Sequence, residues 1–301
     1  MIVPIQMFHN EVHVWTLLHH GDVEVVSLVG VYSTEAHPFG LVYEYMDGLD
    51  LKQYMKNEPN LRRLKLVRVP TLLIRCLSTP HLHRQQLIGI ARGLKRMHDL
   101  GIVHGNLQSV RCPSLPHLWH TVYTRLIPKA NILVDKEGTV RIAGLGNAIV
   151  LPHSTTYPLE GRTNTDRLSC GRAPELTWPG VSQSVADPIH PTKASDMYGF
   201  GVVAWEVRIA PFGVILLAHS RYVLTGKPPF SEMTEIAATY AMLSGARPLR
   251  QTHHEISDRL WYMIERCWYN LPLKRVSAGE AVQLLEAELG HAPNSRTLPH
   301  T

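Results

Sequence analysis

Eighteen histidines and four cysteines are the side chains of this 301-residue chain best suited to hold a metal or form a bridge. Their spacing offers neither. His19-His20 and His253-His254 are adjacent pairs, the others are dispersed, and no i, i+4 pair has an acid placed beside it as a ligand, so no metal site is expected. Cys76, Cys112, Cys170 and Cys267 form no C-x-x-C pair and fit a reducing compartment better than a disulfide scaffold. Polar groups also gather in His104-Gly105-Asn106-Leu107-Gln108 and Lys129-Ala130-Asn131, and glycines in Ala143-Gly144-Leu145-Gly146.

The elements around these stretches read as a mixed fold. Hydrophobic residues make up 45% of the chain and charged residues 18%, which excludes a disordered chain, a collagen and a coiled coil. Phe8, Val12, Trp15 and Leu18 recur at helical spacing and predict a helix over 5–19. Segments 25–33 and 40–46 read as an antiparallel pair. Leu87, Ile90, Ala91, Leu94, Met97 and His98 mark an amphipathic helix stopped by Gly101. Segments 131–134 and 139–143 flank the turn Asp135-Lys136-Glu137-Gly138. Segment 196–207 is apolar on most sides and predicts a buried helix; Ile256, Leu260, Ile264 and Cys267 mark another. Ser277-Ala278-Gly279-Glu280 is a capping box opening a last helix that ends at Gly290, and 291–301 reads as a frayed tail.

Charge is unevenly spread. Three segments, Val67–Gln86, Ser109–Pro128 and Arg208–Val223, contain seven arginines, no lysine and no acid. Without those arginines the formal charge falls from +5 to −2, so the basic balance does not predict a nucleic-acid partner. Each segment interrupts an otherwise good local pattern, and each has Val-Arg at or beside its start: Val67-Arg68, Val110-Arg111 and Val207-Arg208. Val-Arg is how many intron starts translate in frame, and the Leu, Ser, Pro and His content matches pyrimidine-rich DNA. We read the three as retained introns; surface insertions, which loops tolerate, are the alternative. No apolar run reaches the length of a membrane span, and the start MIVPIQMFHNEVH lacks a signal-peptide layout, so a cytoplasmic location is the default.

With the second segment set aside, HGNLQ–KANIL resembles the protein-kinase catalytic loop H-R-D-L-x-x-x-N, with Asn106 and Asn131 five positions apart. Further anchors follow in order. Ala143-Gly144-Leu145-Gly146 resembles the D-F-G element, Arg172-Ala173-Pro174-Glu175 resembles A-P-E, and Ser195-Asp196-Met197-Tyr198-Gly199-Phe200-Gly201 resembles the start of the buried F-helix. Cys267-Trp268, Pro272 and Arg275 resemble the late C-W-x-x-x-P-x-x-R element, and Leu41–Met46 the hinge between lobes. The nearest likeness is the tyrosine-kinase-like branch of Ser/Thr kinases found in fungal expansions.

The resemblance implies an α+β, bilobal protein-kinase-like fold: an incomplete small β lobe over 1–48, with the hinge at 41–48, and a helical large lobe over 49–290. It also implies losses. Phosphoryl transfer needs a Gly-rich loop, a strand lysine paired to a helix glutamate, a base and carboxylate-held Mg²⁺. Glu11 matches the helix glutamate and is placed with the architectural residues, but no lysine precedes Lys52, so its carboxylate is expected to face solvent; the Gly-rich loop and lysine strand are missing ahead of it. Asn106 stands at the base position and Gly144 at the metal-aspartate position. Glu44, Met46 and Asn131 are the residues left to contact a nucleotide, while Glu11, His104, Glu175, Asp196 and Arg275 take architectural roles, Glu175 paired with Arg275 and Asp196 bonded to the loop backbone near His104.

The sequence therefore predicts a catalytically impaired kinase-domain protein that acts through other signalling proteins, with no nucleic acid, membrane, metal or cofactor partner. Two alternatives stay open. One is an active ATP- and Mg²⁺-dependent Ser/Thr or Tyr kinase whose gene is misread, and the other is a non-functional relic. Ser154, Thr155, Thr156, Tyr157, Thr163 and Thr165 lie where the resemblance puts an activation loop.

Overall fold

The computed structural model describes residues 5–18, 24–33, 40–46, 80–107, 131–135, 139–151, 172–177, 190–209, 233–250 and 256–290. The activation-loop positions, most of the three arginine-bearing segments and the 291–301 tail lie outside these ranges.

The N-terminal part consists of α1 (Ile5–Leu17) and an antiparallel pair, β1 (Leu28–Tyr32) and β2 (Gly40–Tyr43). The helix forms where apolar spacing predicts it, but its buried seam is rotated. Phe8, Val14 and Leu18 are buried, while Val12 is only half-buried. Successive residues turn by about 100° on a helix of 3.6 residues per turn, and that rotation puts Glu11 on the same face as Val14 and Leu18. A carboxylate is thereby carried to the inner side of the helix.

The larger part is mostly helical. Helix α2 (Pro80–Asp99) buries Leu87, Ile90, Ala91, Leu94 and Met97 along one stripe. It ends at Gly101, whose φ of 74° suits a residue without Cβ and whose N–H bonds the carbonyl of His98. Next come β3 (Ile102–Val103), β4 (Ile132–Val134), β5 (Val140–Ile142) and β6 (Ile149–Val150). β4 pairs antiparallel with β5, and β3 with β6. β5 also exchanges backbone bonds with the segment entering β1, Ile142 with Glu24 and Val26 with Ile142. That ladder joins the N-terminal part to the larger one.

A short helix α3 (Pro174–Thr177) precedes α4 (Lys193–Ile209). α4 is enclosed on nearly all sides, with Met197, Tyr198, Phe200, Val203 and Ala204 buried. α5 (Glu235–Leu243) and α6 (Asp258–Cys267) are each capped by a hydroxyl, Thr234 and Ser257, which accepts an N–H of the first turn. In α7 (Ala278–Gly290) the expected capping box is reciprocal: Ser277 Oγ accepts from the Glu280 amide at 3.2 Å, and Glu280 Oε2 from the Ser277 amide at 2.7 Å. α7 packs on α2 and α6, and α4 packs on α2 and α6, giving one core that runs from Val14 to Leu285.

Candidate active site

The three polar stretches singled out from the sequence meet where α2, α4 and the short strands converge. Asp196, in the first turn of α4, is buried and accepts three hydrogen bonds. They come from His98 Nε2 at 3.0 Å, the His104 amide at 2.8 Å and the Gly105 amide at 2.8 Å. A buried carboxylate needs such donors to stand in for water. These pin the turn at His104-Gly105, where Gly105 takes a φ of 75°. α4 presses on the same turn from behind. A Cβ on Gly199 would sit 2.7 Å from the Leu107 carbonyl oxygen, so only glycine lets the helix approach this closely.

His104 is fully buried. Its Nε2 donates to the Ala143 carbonyl at 3.0 Å and its Nδ1 accepts the Asn106 amide at 3.2 Å. A carbonyl cannot donate, so the ring is the neutral Nε2–H tautomer. Burial agrees with that assignment by holding its pKa below the usual histidine value against the pull of Asp196. The ring thus joins the 104–107 turn to the stretch that begins at Ala143.

Asn131 completes the cluster. Its Nδ2 donates to the Asn106 carbonyl at 2.7 Å. Its Oδ1 faces Gly144, which holds a left-handed φ of 75° and ψ of 47°. A Cβ placed on Gly144 would overlap Asn131 Oδ1. The amide therefore fills the space that a longer side chain at 144 would need.

Glu11 approaches from the other side, and the expectation that it is left to solvent is corrected here. Its Oε1 accepts from Tyr43 Oη at 2.5 Å and from the Leu145 amide at 3.2 Å. Burial raises its pKa above the ordinary carboxylate value, against the lowering effect of both donors. Asn10 reinforces the link by donating to the Gly146 and Ala148 carbonyls at 3.3 and 2.8 Å. Of the hinge candidates, Glu44 pairs with Arg141 at 2.5 Å and its amide bonds the Ser27 carbonyl, and the Met46 side chain is buried.

Beyond the cluster, Arg275 donates to both oxygens of Glu175 at 2.6 and 2.8 Å. Its other donors reach the Ala194, Tyr269 and Asn270 carbonyls, and its plane lies 5.1 Å from the Tyr198 ring centroid. All five guanidinium N–H groups have acceptors.

A family model described as protein tyrosine and serine/threonine kinase matches residues 3–112 and 120–285. The chain belongs to this kinase family. Serine/threonine-protein kinase 12 of Arabidopsis thaliana is 24% identical over 297 residues, covering 97% of this chain and 50% of that protein. Serine/threonine/tyrosine-protein kinase HT1 of the same plant is 24% identical over 283 residues, covering 93% of this chain and 54% of its own. Discoidin domain-containing receptor tyrosine kinase B of Caenorhabditis elegans is 25% identical over 228 residues, covering 76% of this chain and 20% of its own. The chain thus spans about half the length, or less, of these curated relatives. It has the α+β protein-kinase fold. No helix among its described residues is long and apolar enough to cross a membrane.

Within the kinase frame, the structure brings together Glu11, His104, Asn106, Asn131, Gly144 and Asp196, and sets Glu175 with Arg275 behind them. Four participants escaped the sequence reading: Asn10, Tyr43, His98, and Lys193, which bonds the His98 carbonyl at 2.5 Å. Tyr43 lay inside a strand pattern that explained it fully, and His98 inside an apolar stripe. Their polar ends carried no sequence signal.

Proposed function

We propose that this protein is a pseudokinase, a kinase-domain module that engages other signalling proteins and transfers no phosphate. The observation that carries this reading is a pair of neutral residues in two neighbouring turns: Asn106 at the base position and Gly144 at the metal-carboxylate position, with the Asn131 amide against Gly144. Kinase catalysis is positioning plus neutralisation of the phosphate charge by carboxylate-held metal ions. A missing charged group of this kind removes several kcal/mol of transition-state stabilisation. Two such losses bring turnover close to background. Cofactors follow the same logic: ATP and Mg²⁺ are not needed for the role proposed, which is that of a cytoplasmic interaction partner.

A second reading is an active kinase, and the kinase names of the relatives favour it. Incubation with labelled ATP, Mg²⁺ and a generic protein substrate separates the two, with the Asn131→Ala protein as control. The pseudokinase reading expects equal, background labelling from both proteins and no thermal shift with ATP and Mg²⁺. Labelling that disappears in the control establishes the active reading.

A further inference from the structure

Gln86 is 1% exposed, and among the described residues neither end of its amide has a hydrogen-bond partner. A buried amide without partners is costly, and such groups are rare in folded proteins. Its neighbours define what the helix asks for at this point. Position 84 is half-buried and its guanidinium pairs with Glu288 at 3.2 Å; position 85 is exposed; position 86 is buried and runs into Leu87 and Ile88, both buried. The environment calls for a polar residue at 85 and an apolar one at 86. Lys65-Leu66, which stands just before the first arginine-bearing segment, has that order.

The second segment gives an independent observation. The residues flanking it touch: Asn131 Nδ2 reaches the Asn106 carbonyl at 2.7 Å across 25 positions of sequence. The described chain on the two sides of this segment therefore lies close together. Without it, Leu107 and Asn131 are joined through Gln108, Lys129 and Ala130. A link of that length reaches up to about 13 Å, enough for two neighbours already within hydrogen-bonding distance.

We infer that a shorter product of the same gene, lacking Val67–Gln86 and Ser109–Pro128, is the form on which this fold is built. In it Leu64-Lys65-Leu66 occupy the helical places of Arg84-Gln85-Gln86, and Gln108 joins Lys129 directly. The inference concerns the chain's covalent length and stands apart from whether the domain transfers phosphate.

Thermal unfolding of four purified chains tests it: the full chain, Gln86→Leu, the doubly excised chain, and the excised chain carrying Leu66→Gln. Gln86→Leu should raise Tm by about 3 °C, the shift for one relieved buried amide in a domain of this size. The excised chain should unfold cooperatively at or above the Tm of the full chain, and Leu66→Gln within it should lower that value by a similar amount. The inference is overturned if the excised chain melts without cooperativity or below the full chain. It is equally overturned if Gln86→Leu leaves Tm unchanged or lowers it, or if Leu66→Gln has no effect. Complementary DNA in which the codon for Leu66 is followed by that for Leu87 would identify the shorter product directly.

Discussion

The Tyr43 hydroxyl lies 2.5 Å from Glu11 Oε1, and the same oxygen takes the Leu145 amide, so one carboxylate ties α1, β2 and the turn after Gly144 together. No cation pairs with Glu11 among the described residues. A phenol and a backbone amide do the positioning. Trp15, with its ring 6.1 Å from that of Tyr43, backs the contact.

Removing the hydroxyl by Tyr43→Phe should cost about 1–3 kcal/mol at neutral pH, since a buried carboxylate then keeps a single donor. The pH dependence has a definite sign. Burial already raises the pKa of Glu11, and the Tyr43 bond opposes that rise. Without the bond the pKa climbs further, so Glu11 takes up its proton at higher pH in the variant. A carboxyl with a raised folded-state pKa favours the folded state on acidification and loses that benefit as pH rises through the folded value. The penalty of Tyr43→Phe should therefore shrink between pH 7.5 and pH 5, as urea unfolding at the two values would show.

The Glu175–Arg275 pair should behave as a buried bridge does when halved. Arg275→Leu leaves Glu175 without its cation and strips donors from the Ala194 and Tyr269 carbonyls. A loss of about 3–5 kcal/mol is expected. Glu175→Gln keeps an acceptor and should cost less. A double-mutant cycle read by chemical denaturation should give a coupling well above that of the exposed Arg92–Glu286 pair, for which about 0.5 kcal/mol is typical.

Restoring one charge should not restore chemistry. Gly144→Asp places a Cβ against Asn131 Oδ1 and a side chain at φ 75°. It should lower stability by about 1–2 kcal/mol, the usual cost of a left-handed residue with a Cβ, and yield no ATP-dependent labelling while Asn106 remains. Asn106→Asp alone should fold normally and also label nothing. Melting curves and phosphate incorporation on the two variants check both statements.

His104 provides a pH marker. With its folded pKa held below the unfolded value of about 6.5, the folded ring stays neutral where the unfolded chain binds a proton. Its stabilising effect is complete above that unfolded pKa and declines as pH falls. Proton NMR should find the His104 ring still neutral as pH falls through the range in which a free imidazole takes up its proton.

Much of this fold was readable because its repeats are strong. The stripe Leu87–Met97 and the Ser277–Glu280 box specify their helices with little help from the rest of the chain. α5 was missed because Ile236 to Leu243 is apolar on most positions and shows no clean face, and the β3 and β6 strands are two residues each, too short for any alternation. Within the site, His104, Asp196, Glu175 and Arg275 fell where the motif spacing put them, since a motif encodes backbone position. Glu11 was misjudged because its partner, Tyr43, is 32 residues away and joins it only through tertiary packing.

The anchoring of the 104–107 turn to Asp196 has one more consequence. Asp196 holds the turn through the backbone amides of His104 and Gly105, and the Asn106 side chain takes no part in that hold. The shape of the turn and the identity of the residue at position 106 are thus specified separately. A substitution of the Asn106 side chain leaves the grip of Asp196 standing, so the sequence at that position is free to change without rebuilding the body that carries it.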